Sequence, residues 1–356
     1  MRRESFPQSS FIASGLLALL ILSSAPLPAE KEKKSAPKQD PYAEYVWPPP
    51  PDRPRIKLEA VILGRSDVEG ESRLAKALIG ASPKSPWDDL KKPHAVEFDP
   101  QGRILVTDAQ TGALLRFDLV GRKMDVLGTQ GAVRLKTPLG LDVGSDGTIY
   151  VADIGLAKVV AFTAKGKLKV AYGRSGELVN PTDVAISPDG RRLFVTDSKA
   201  HKVVIFDAAS AAKTGEFGKP GDQDGQLAFP SGLTFGPDGN LFVVDQINSR
   251  VQVFSPAGDY LAQFGRLGVG FANFVRPKDA AVDEIGLIYV TDNAFNNIQI
   301  FDVDFTLLTF VGEGGSGPGR FSGLSGVAVQ GDRIAAVDQL GHRLQIFRFL
   351  APKAAD

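Results

Sequence analysis

Two carboxylates, one amide and one histidine are the side chains of this chain that could do chemistry together. Asp183, Asp279 and Asn180 offer the hard oxygen ligands that calcium prefers. His94 could serve as a proton acceptor or as a metal ligand. If the fold brings these residues to one place, they predict a divalent-ion site.

Two cations next to Asp279 support a different interpretation. Arg276 and Lys278 stand three and one residues before it, and their charges would repel a metal ion or pair with the aspartates. A salt-bridged polar lining is therefore the alternative to a metal site. Neither a Ser-His-Asp set nor a phosphate-binding loop occurs at a convincing spacing, and the chain has no cysteine, which excludes thiolate ligands and disulfides.

A repeat determines where these side chains must lie. Short apolar bursts that end in Asp, such as Ile288-Tyr289-Val290-Thr291-Asp292, occur six times, and the spacings between their final Asp residues are 45, 44, 48, 47 and 46 residues. Period-two alternation predicts strands. A period of this length predicts an all-β, six-bladed β-propeller with one four-stranded blade per repeat.

The strands of one blade are clearest in residues 230–265. We expect the innermost strand at Ser231–Phe235, middle strands at Asn240–Asp245 and Val251–Ser255, and the outer strand at Tyr260–Gly265. The last repeat lacks an outer strand, and a spare strand of suitable pattern lies at residues 56–64. We predict that residues 56–64 complete the sixth blade and leave no open sheet edge.

The Asp that ends each burst is interpreted as architectural. An Asp that serves one active site would not recur in all six repeats, whereas Asp side chains commonly bond turn amides. Two of the three histidines, His201 and His342, stand where Ser249 and Asn296 stand in other repeats, so they are predicted to be turn residues.

These repeats resemble the NHL repeat. The resemblance rests on Gly225-Gln226-Leu227 with Phe229-Pro230-Ser231-Gly232-Leu233, and on the stretch from Asp245 to Phe254. It covers about 300 residues and implies the propeller fold, whereas NHL-type propellers include binding platforms, sensor domains and a minority of enzymes.

Two enzymatic relatives of this fold suggest metal chemistry. The peptide-amidating lyase holds zinc by three channel histidines; His94 resembles one of them, but Leu139, Thr182, Ser231, Lys278 and Ser325 occupy the equivalent positions. A three-histidine zinc site is therefore not expected. Gluconolactonase-like propellers hold a divalent ion among carboxylates and Asn, which Asn180, Asp183 and Asp279 could imitate with calcium.

Residues at the mouth of the central channel differ from blade to blade, as a site with distinct groups requires. Aligned on the proline that opens each innermost strand, they are Lys92 and His94; Thr137 and Leu139; Asn180, Thr182 and Asp183; Phe229 and Ser231; Arg276, Lys278 and Asp279; and Gly323 and Ser325. We predict a ligand site of His94, Asn180, Asp183, Arg276, Lys278 and Asp279, with Trp87 from a long connection.

That connection, residues 65–92, is an insertion of 28 residues with a predicted short helix at Glu71–Ile79. Long connections without a scaffold role are often functional, so it could close over the mouth as a lid. Alternatively, its apolar residues, including Trp87, cover the junction between two blades.

The N-terminal 55 residues predict export and a spacer. Residues 1–29 have a basic end, a short apolar core and small residues before Glu30, which predicts a cleaved signal peptide; an uncleaved membrane anchor is the alternative. Residues 30–55 are charged and then rich in proline, and Pro48–Pro51 favour an extended polyproline helix. The domain of residues 56–356 would then be periplasmic or extracellular.

The composition restricts the partners. The chain has 41 basic and 41 acidic residues and a formal net charge of zero, which offers no basic field for nucleic acid. We expect a non-enzymatic binding platform for a protein or carbohydrate ligand at the mouth, with no cofactor and with a membrane contact only if the signal segment is retained. The alternative is a metal-dependent hydrolase or lyase at the same channel.

Overall fold

The computed structural model describes residues 40–70 and 85–350, and strands account for nearly all of its regular structure. The predicted signal peptide and the predicted helix at Glu71–Ile79 lie outside the described residues. Within the described ranges, no helix has the length and apolar character needed to cross a membrane. The helical elements there are the short helix α1 (Arg65–Glu69) and a single 3₁₀ turn (Ser198–Ala200).

The strands follow the predicted repeat to within a few residues. They are β1 (Val46–Trp47), β2 (Ile56–Ile62), β3 (Pro93–Phe98), β4 (Ile104–Asp108), β5 (Ala113–Asp118), β6 (Lys123–Leu127), β7 (Pro138–Val143), β8 (Ile149–Asp153), β9 (Lys158–Phe162), β10 (Leu168–Tyr172), β11 (Pro181–Ile186), β12 (Arg192–Asp197), β13 (Lys202–Asp207), β14 (Lys213–Phe217), β15 (Pro230–Phe235), β16 (Leu241–Asp245), β17 (Arg250–Phe254), β18 (Tyr260–Phe264), β19 (Pro277–Val282), β20 (Ile288–Asp292), β21 (Asn297–Phe301), β22 (Leu307–Val311), β23 (Leu324–Gln330), β24 (Arg333–Asp338) and β25 (Arg343–Phe349).

These strands form six antiparallel sheets, which are the blades of a propeller. Blades 1 to 5 are β3–β6, β7–β10, β11–β14, β15–β18 and β19–β22, and blade 6 has the order β1-β2-β25-β24-β23. The innermost strands of neighbouring blades contact one another around the ring, from β3 through β7, β11, β15 and β19 to β23 and back to β3. The prediction of a six-bladed β-propeller is confirmed.

The ring closes where the spare strand was predicted to pair. β2 runs antiparallel to β25, with Ile56 opposite Phe349 and Ile62 opposite Leu344. Alternate side chains of β2 (Ile56, Leu58 and Ile62) are buried, as expected for a strand with one face against a core.

The proline-rich segment differs from its prediction. β1 pairs with β2, and the Arg55 amide donates to the Trp47 carbonyl (2.8 Å), so residues 48–55 fold back on themselves and are not an extended polyproline helix. The Trp47 ring packs edge-on against Phe347, with 5.4 Å between ring centroids. This contact buries apolar area, and it explains why part of the predicted spacer forms a fifth strand of blade 6.

The hydrophobic core is divided among the junctions between blades. Each of the six junctions in the described propeller holds its own cluster of buried side chains. The strands present apolar residues to both faces of each blade, because each sheet is covered by a neighbour on either side. The ring of clusters leaves the innermost strands to line the central channel.

The turn between the second and third strands has one shape in all six blades. The residue before each third strand has a left-handed backbone, with φ between 51° and 63°: Gly112, Ala157, His201, Ser249, Asn296 and His342. His201 and His342 therefore occupy turn positions, as predicted. These turns lie on the same side of the ring as the connections that lead into the innermost strands, and we call this side the mouth face.

Candidate functional site at the channel mouth

The repeated Asp holds the connections of the mouth face in place. Each carboxylate is fully buried and accepts hydrogen bonds from backbone amides just before its innermost strand; Asp108, for example, accepts from Lys91 (2.6 Å) and Lys92 (3.0 Å). In blades 1, 2, 5 and 6 the Asp also accepts from amides of its own turn, which confirms the architectural interpretation there. In blades 3 and 4, the backbone amides that donate to Asp197 and Asp245 belong to the connection that leads into the innermost strand and not to the turn.

These hydrogen bonds position two stacked rings of side chains at the mouth. The outer ring consists of the residues immediately before the opening residue of each innermost strand: Lys92, Thr137, Asn180, Phe229, Arg276 and Gly323. The inner ring consists of the residues immediately after it: His94, Leu139, Thr182, Ser231, Lys278 and Ser325. Neither ring contains a carboxylate.

The hydroxyls of the inner ring are used by the framework. The Ser231 hydroxyl donates to the Lys278 carbonyl (2.7 Å), and the Ser325 hydroxyl donates to the His94 carbonyl (2.7 Å). Both bonds cross from one blade to the next. They fix the backbones that carry Lys278 and His94, so these two side chains are presented from rigid positions.

A threefold pattern underlies the sixfold ring. Thr107, Thr196 and Thr291, in blades 1, 3 and 5, accept hydrogen bonds from the amides of Ala95 (3.0 Å), Asp183 (2.9 Å) and Asp279 (3.0 Å). The equivalent second-strand residues of blades 2, 4 and 6 are the apolar Ala152, Val244 and Val337, and Gly140, Gly232 and Gly326 stand opposite them on the innermost strands. Odd and even blades therefore contribute different groups to the channel.

Asp183 and Asp279 lie below the inner ring and span the gaps between blades. The Asp183 carboxylate accepts from the Leu233 amide of the next blade (2.9 Å), and the Asp279 carboxylate accepts from the Val327 amide of the next blade (3.0 Å). Gly140 leaves the room for Asp183, because a Cβ there would come within 2.0 Å of its Oδ1. The structure thus brings both predicted aspartates into the channel but commits each to a backbone amide.

Two further carboxylates, Glu97 and Asp142, extend this acidic set deeper into the channel. Asp142 accepts from the Ile186 amide of the next blade (2.7 Å), and Glu97 accepts from the Phe98 amide (2.7 Å). The sequence prediction missed both. They stand two residues after the positions of Ala95 and Gly140, so period-two alternation along the innermost strands would have placed them in the channel.

Burial raises the proton affinity of all four carboxylates, and neighbouring carboxylates raise that of Asp183 and Glu97 further. Burial raises the pKa of Asp279 to about 7 and the pKa of Asp142 to about 6. Burial, and next the nearby Asp279 carboxylate, raise the pKa of Asp183 well above its usual range. Burial, followed by Asp142, does the same to the pKa of Glu97. The channel interior is therefore an acidic region in which not all carboxylates are ionised at neutral pH.

The mouth above this region is basic. Burial, then the charges of Lys278 and Lys92, lower the pKa of His94 to about 4, so its imidazole is neutral at pH 7. Burial, then the charge of Arg276, lowers the pKa of Lys278. His94 Nδ1 is buried without a hydrogen-bond partner in the described part of the chain, so the accessible part of the ring lies away from Nδ1.

The three histidines do not converge in the described ranges. His201 Nδ1 accepts from the Phe229 amide (3.3 Å) in one outer turn, and His342 Nδ1 contacts the Lys91 carbonyl in another, so neither reaches His94. No three His, Asp or Glu side chains of the described residues are grouped so that they could hold a metal ion. Each of the Asp183 and Asp279 carboxylates accepts from a backbone amide of the next blade, and calcium binding by these two residues with Asn180 stays a prediction.

The remaining predicted site residues have different surroundings. Asn180 is buried in the outer ring, and its backbone amide donates to Asp197 (2.9 Å). Arg276 is exposed, with its backbone amide bonded to Asp292. Trp87 packs against the cluster between blades 6 and 1, which corresponds to the junction-cover alternative for the long connection. Its contribution to ligand binding stays a prediction.

A cavity of about 900 Å³ opens on the face opposite the mouth, between blades 2 and 3. Asp142, Tyr150 and Lys169 line it. Its carboxylates are occupied by local bonds, such as those from Thr148 to Asp146 (2.8 Å) and from the Ser187 hydroxyl to Asp189 (2.6 Å). Asp142 connects the inner end of this cavity to the acidic region of the channel.

Comparisons with known proteins agree with this architecture. The model of the NHL repeat matches residues 227–254, which hold β15, β16 and β17. Part of the chain is 30% identical to the human E3 ubiquitin-protein ligase NHLRC1 over 134 residues, which is 38% of this chain and 32% of that protein. Another alignment is 27% identical over 146 residues to mouse peptidyl-glycine alpha-amidating monooxygenase, covering 37% of this chain and 15% of that protein.

The chain thus spans about a third or less of the length of these curated relatives. Among solved structures, a gluconolactonase from Xanthomonas campestris is similar with a TM-score of 0.57 and 17% identity, covering 73% of this chain and 86% of that one. At this identity the likeness concerns the fold.

Proposed function

We propose that this chain, which belongs to the NHL-repeat β-propellers, is a non-enzymatic binding platform that works through its channel mouth. The proposal rests on a difference between the polar groups of the channel interior and those of the mouth. The channel carboxylates are engaged by backbone amides, whereas Lys278 makes no ion pair and His94 Nδ1 no hydrogen bond within the described residues.

The rigidity of the mouth supports binding. Its backbones are tied by the repeated Asp, and the inner-ring hydroxyls lock neighbouring blades together. A preorganised surface loses little conformational entropy when a ligand binds, so even a few contacts give useful affinity. The ligand would be a protein segment or a carbohydrate.

The alternative, a metal-dependent hydrolase or lyase, rests on the similarity to part of an amidating monooxygenase and on the fold shared with a gluconolactonase. Among the described residues, no three His, Asp or Glu side chains are grouped so that they could hold a metal ion. In the inner ring, the hydroxyl of Ser325 next to His94 donates to the His94 backbone carbonyl and is not paired with the imidazole.

Export is part of the proposal. The basic end and apolar core of residues 1–29 support a position beyond the cytoplasmic membrane. The protein contacts the membrane only if this segment is retained. Detection of the mature N-terminus near Glu30 by mass spectrometry tests cleavage, and an intact Met1 terminus would contradict it.

An affinity-capture experiment tests the platform. The wild-type protein, an Arg276→Met/Lys278→Met variant and a Lys165→Met/Lys167→Met control are compared; the control lysines are exposed on the opposite face. We expect the mouth variant to lose specific partners that wild type and control retain. Equal capture by all three, or stoichiometric metal with lactone or lyase turnover, would contradict a metal-free platform at the mouth.

A further inference from the structure

One sector of the mouth is cationic. Arg276 and Lys278 belong to blade 5 and Lys92 and His94 to blade 1, so these residues stand on either side of blade 6. The described residues provide no carboxylate in an ion pair with any of these three cations. Between Lys278 and His94 the inner ring has only the small Ser325, whose hydroxyl is occupied by the His94 carbonyl.

The charges of this sector favour the binding of an anionic ligand. Burial and then the charge of Lys278 lower the pKa of His94, and burial and then the charge of Arg276 lower the pKa of Lys278, so each group is also affected by a neighbouring cation. Like charges held close together by a rigid frame are costly unless a ligand neutralises them. Because His94 is neutral, an anion bound there meets the lysine and arginine charges beside an uncharged ring.

The opposite sector of the mouth, in blades 2 to 4, is uncharged and combines exposed apolar side chains with the polar residues Thr137, Asn180, Thr182 and Ser231. Leu139 stands in the inner ring and Phe229 in the outer ring, and Phe229 is 43% exposed. Val179, beside Asn180, is 58% exposed. The Phe229 ring is held edge-on to His201 at 4.5 Å between centroids, which fixes its position. The mouth is therefore divided into a cationic half and an uncharged half, in which the apolar Phe229 and Val179 are exposed.

We infer that the ligand of this mouth presents a carboxylate joined closely to an apolar group, with the carboxylate on Lys278 and Arg276 and the apolar group on Leu139 and Phe229. This inference rests on the proposed function and names its ligand chemistry. A site with a few polar groups in an apolar surround uses the polar groups to orient the ligand. A fully hydrated inorganic anion would make no apolar contact with Leu139 or Phe229.

Two sources share this chemistry: a small organic acid and the C-terminal end of an extended peptide with an apolar last residue. Isothermal titration of the purified protein distinguishes them with four probes. These are hexanoate, N-acetyl-leucyl-leucine with a free carboxylate, the same dipeptide as its C-terminal amide, and inorganic phosphate.

We expect the free dipeptide acid to bind about tenfold or more tightly than its amide, since hydrogen bonds to charged groups contribute about 1.5–3 kcal/mol. Hexanoate that binds as well as the dipeptide acid identifies the small acid as sufficient. Equal binding of acid and amide would overturn the inference, as would phosphate that binds as tightly as either carboxylate.

Two variants and one control assign the binding to the mouth. Lys278→Met keeps the apolar stem and removes the charge, and Arg276→Met does so at an exposed position whose backbone amide bonds Asp292. Each should abolish most of the acid-over-amide preference, while Lys165→Met should retain it. A preference that survives both mouth variants would refute the assignment.

Failure of this inference differs from failure of the platform. Captured partners that depend on Arg276 and Lys278, together with equal binding of acid and amide, would reject the carboxylate and keep the platform. Loss of both results would reject the platform itself.

Discussion

Replacement of Asp338 by Ala should destabilise the propeller far more than the same change at Asp153, although the two residues occupy equivalent positions in blades 6 and 2. Both side chains are fully buried. Each accepts hydrogen bonds from three backbone amides, which are Ser322, Gly323 and Gly341 for Asp338, and Lys136, Thr137 and Leu156 for Asp153. Asp338 alone of the two also pairs with a buried cation, Arg343, at 3.0 Å.

The magnitudes follow from these partners. The loss of three amide bonds at about 1 kcal/mol each lowers the free energy of unfolding by about 3 kcal/mol in either variant. Asp338→Ala also leaves the Arg343 charge buried without its counterion, which costs about 3 kcal/mol more. Arg343 keeps its bonds to the carbonyls of Ser316 and Arg320, which places this cost at the low end of the usual range.

Urea unfolding, followed by circular dichroism at one pH, measures the difference. We expect losses of about 3 kcal/mol for Asp153→Ala and about 6 kcal/mol for Asp338→Ala. The double variant Asp338→Ala/Arg343→Met should recover roughly half of the larger loss, because it removes the stranded charge. Equal losses in the two single variants, or no recovery in the double variant, would refute the argument from the buried ion pair.

Three further outcomes are expected. The folded state binds the Asp279 proton more tightly than the unfolded chain, because burial raises the pKa of Asp279 to about 7 from a usual value of about 4. The stability of Asp279→Asn against urea should therefore increase relative to that of the wild type as the pH rises from about 5 to about 8. The same pH dependence of stability in variant and wild type would contradict this. Gly140→Ala should sharply lower the melting temperature, because its Cβ would collide with Asp183. The control Gly215→Ala should not, because the nearest atom to its Cβ would be 3.7 Å away. Similar changes of melting temperature in the two variants would contradict the packing argument. Trp47→Ala should cost about 2 kcal/mol and expose residues 48–55 to proteolysis, and unchanged cleavage would show that β1 is not held by this ring.

The sequence predicted the propeller well because its repeat is strongly periodic. Each blade has alternating strands that end in an Asp, and such a pattern is compatible with few other folds. Closure by residues 56–64 was predictable for the same reason, since one strand was missing at one end and one was spare at the other. The positions of His201 and His342 followed from their equivalence to ordinary turn residues.

The site was harder to predict because its bonds join different blades. The amide partners of Asp183 and Asp279 lie on the next blade, so their identity depends on the curvature of the ring. β1 was missed because two residues next to a run of prolines carry no periodic pattern, and its docking depends on a ring contact with Phe347.

The pairing of β2 with β25 imposes an order on assembly. These strands are the first and last long strands of the ring, so the sixth sheet needs both, and its outer half waits until residues up to Phe349 have been synthesised. Contacts between such distant parts of a chain form late and slowly. A growing polypeptide would therefore leave the sixth sheet incomplete for most of its synthesis.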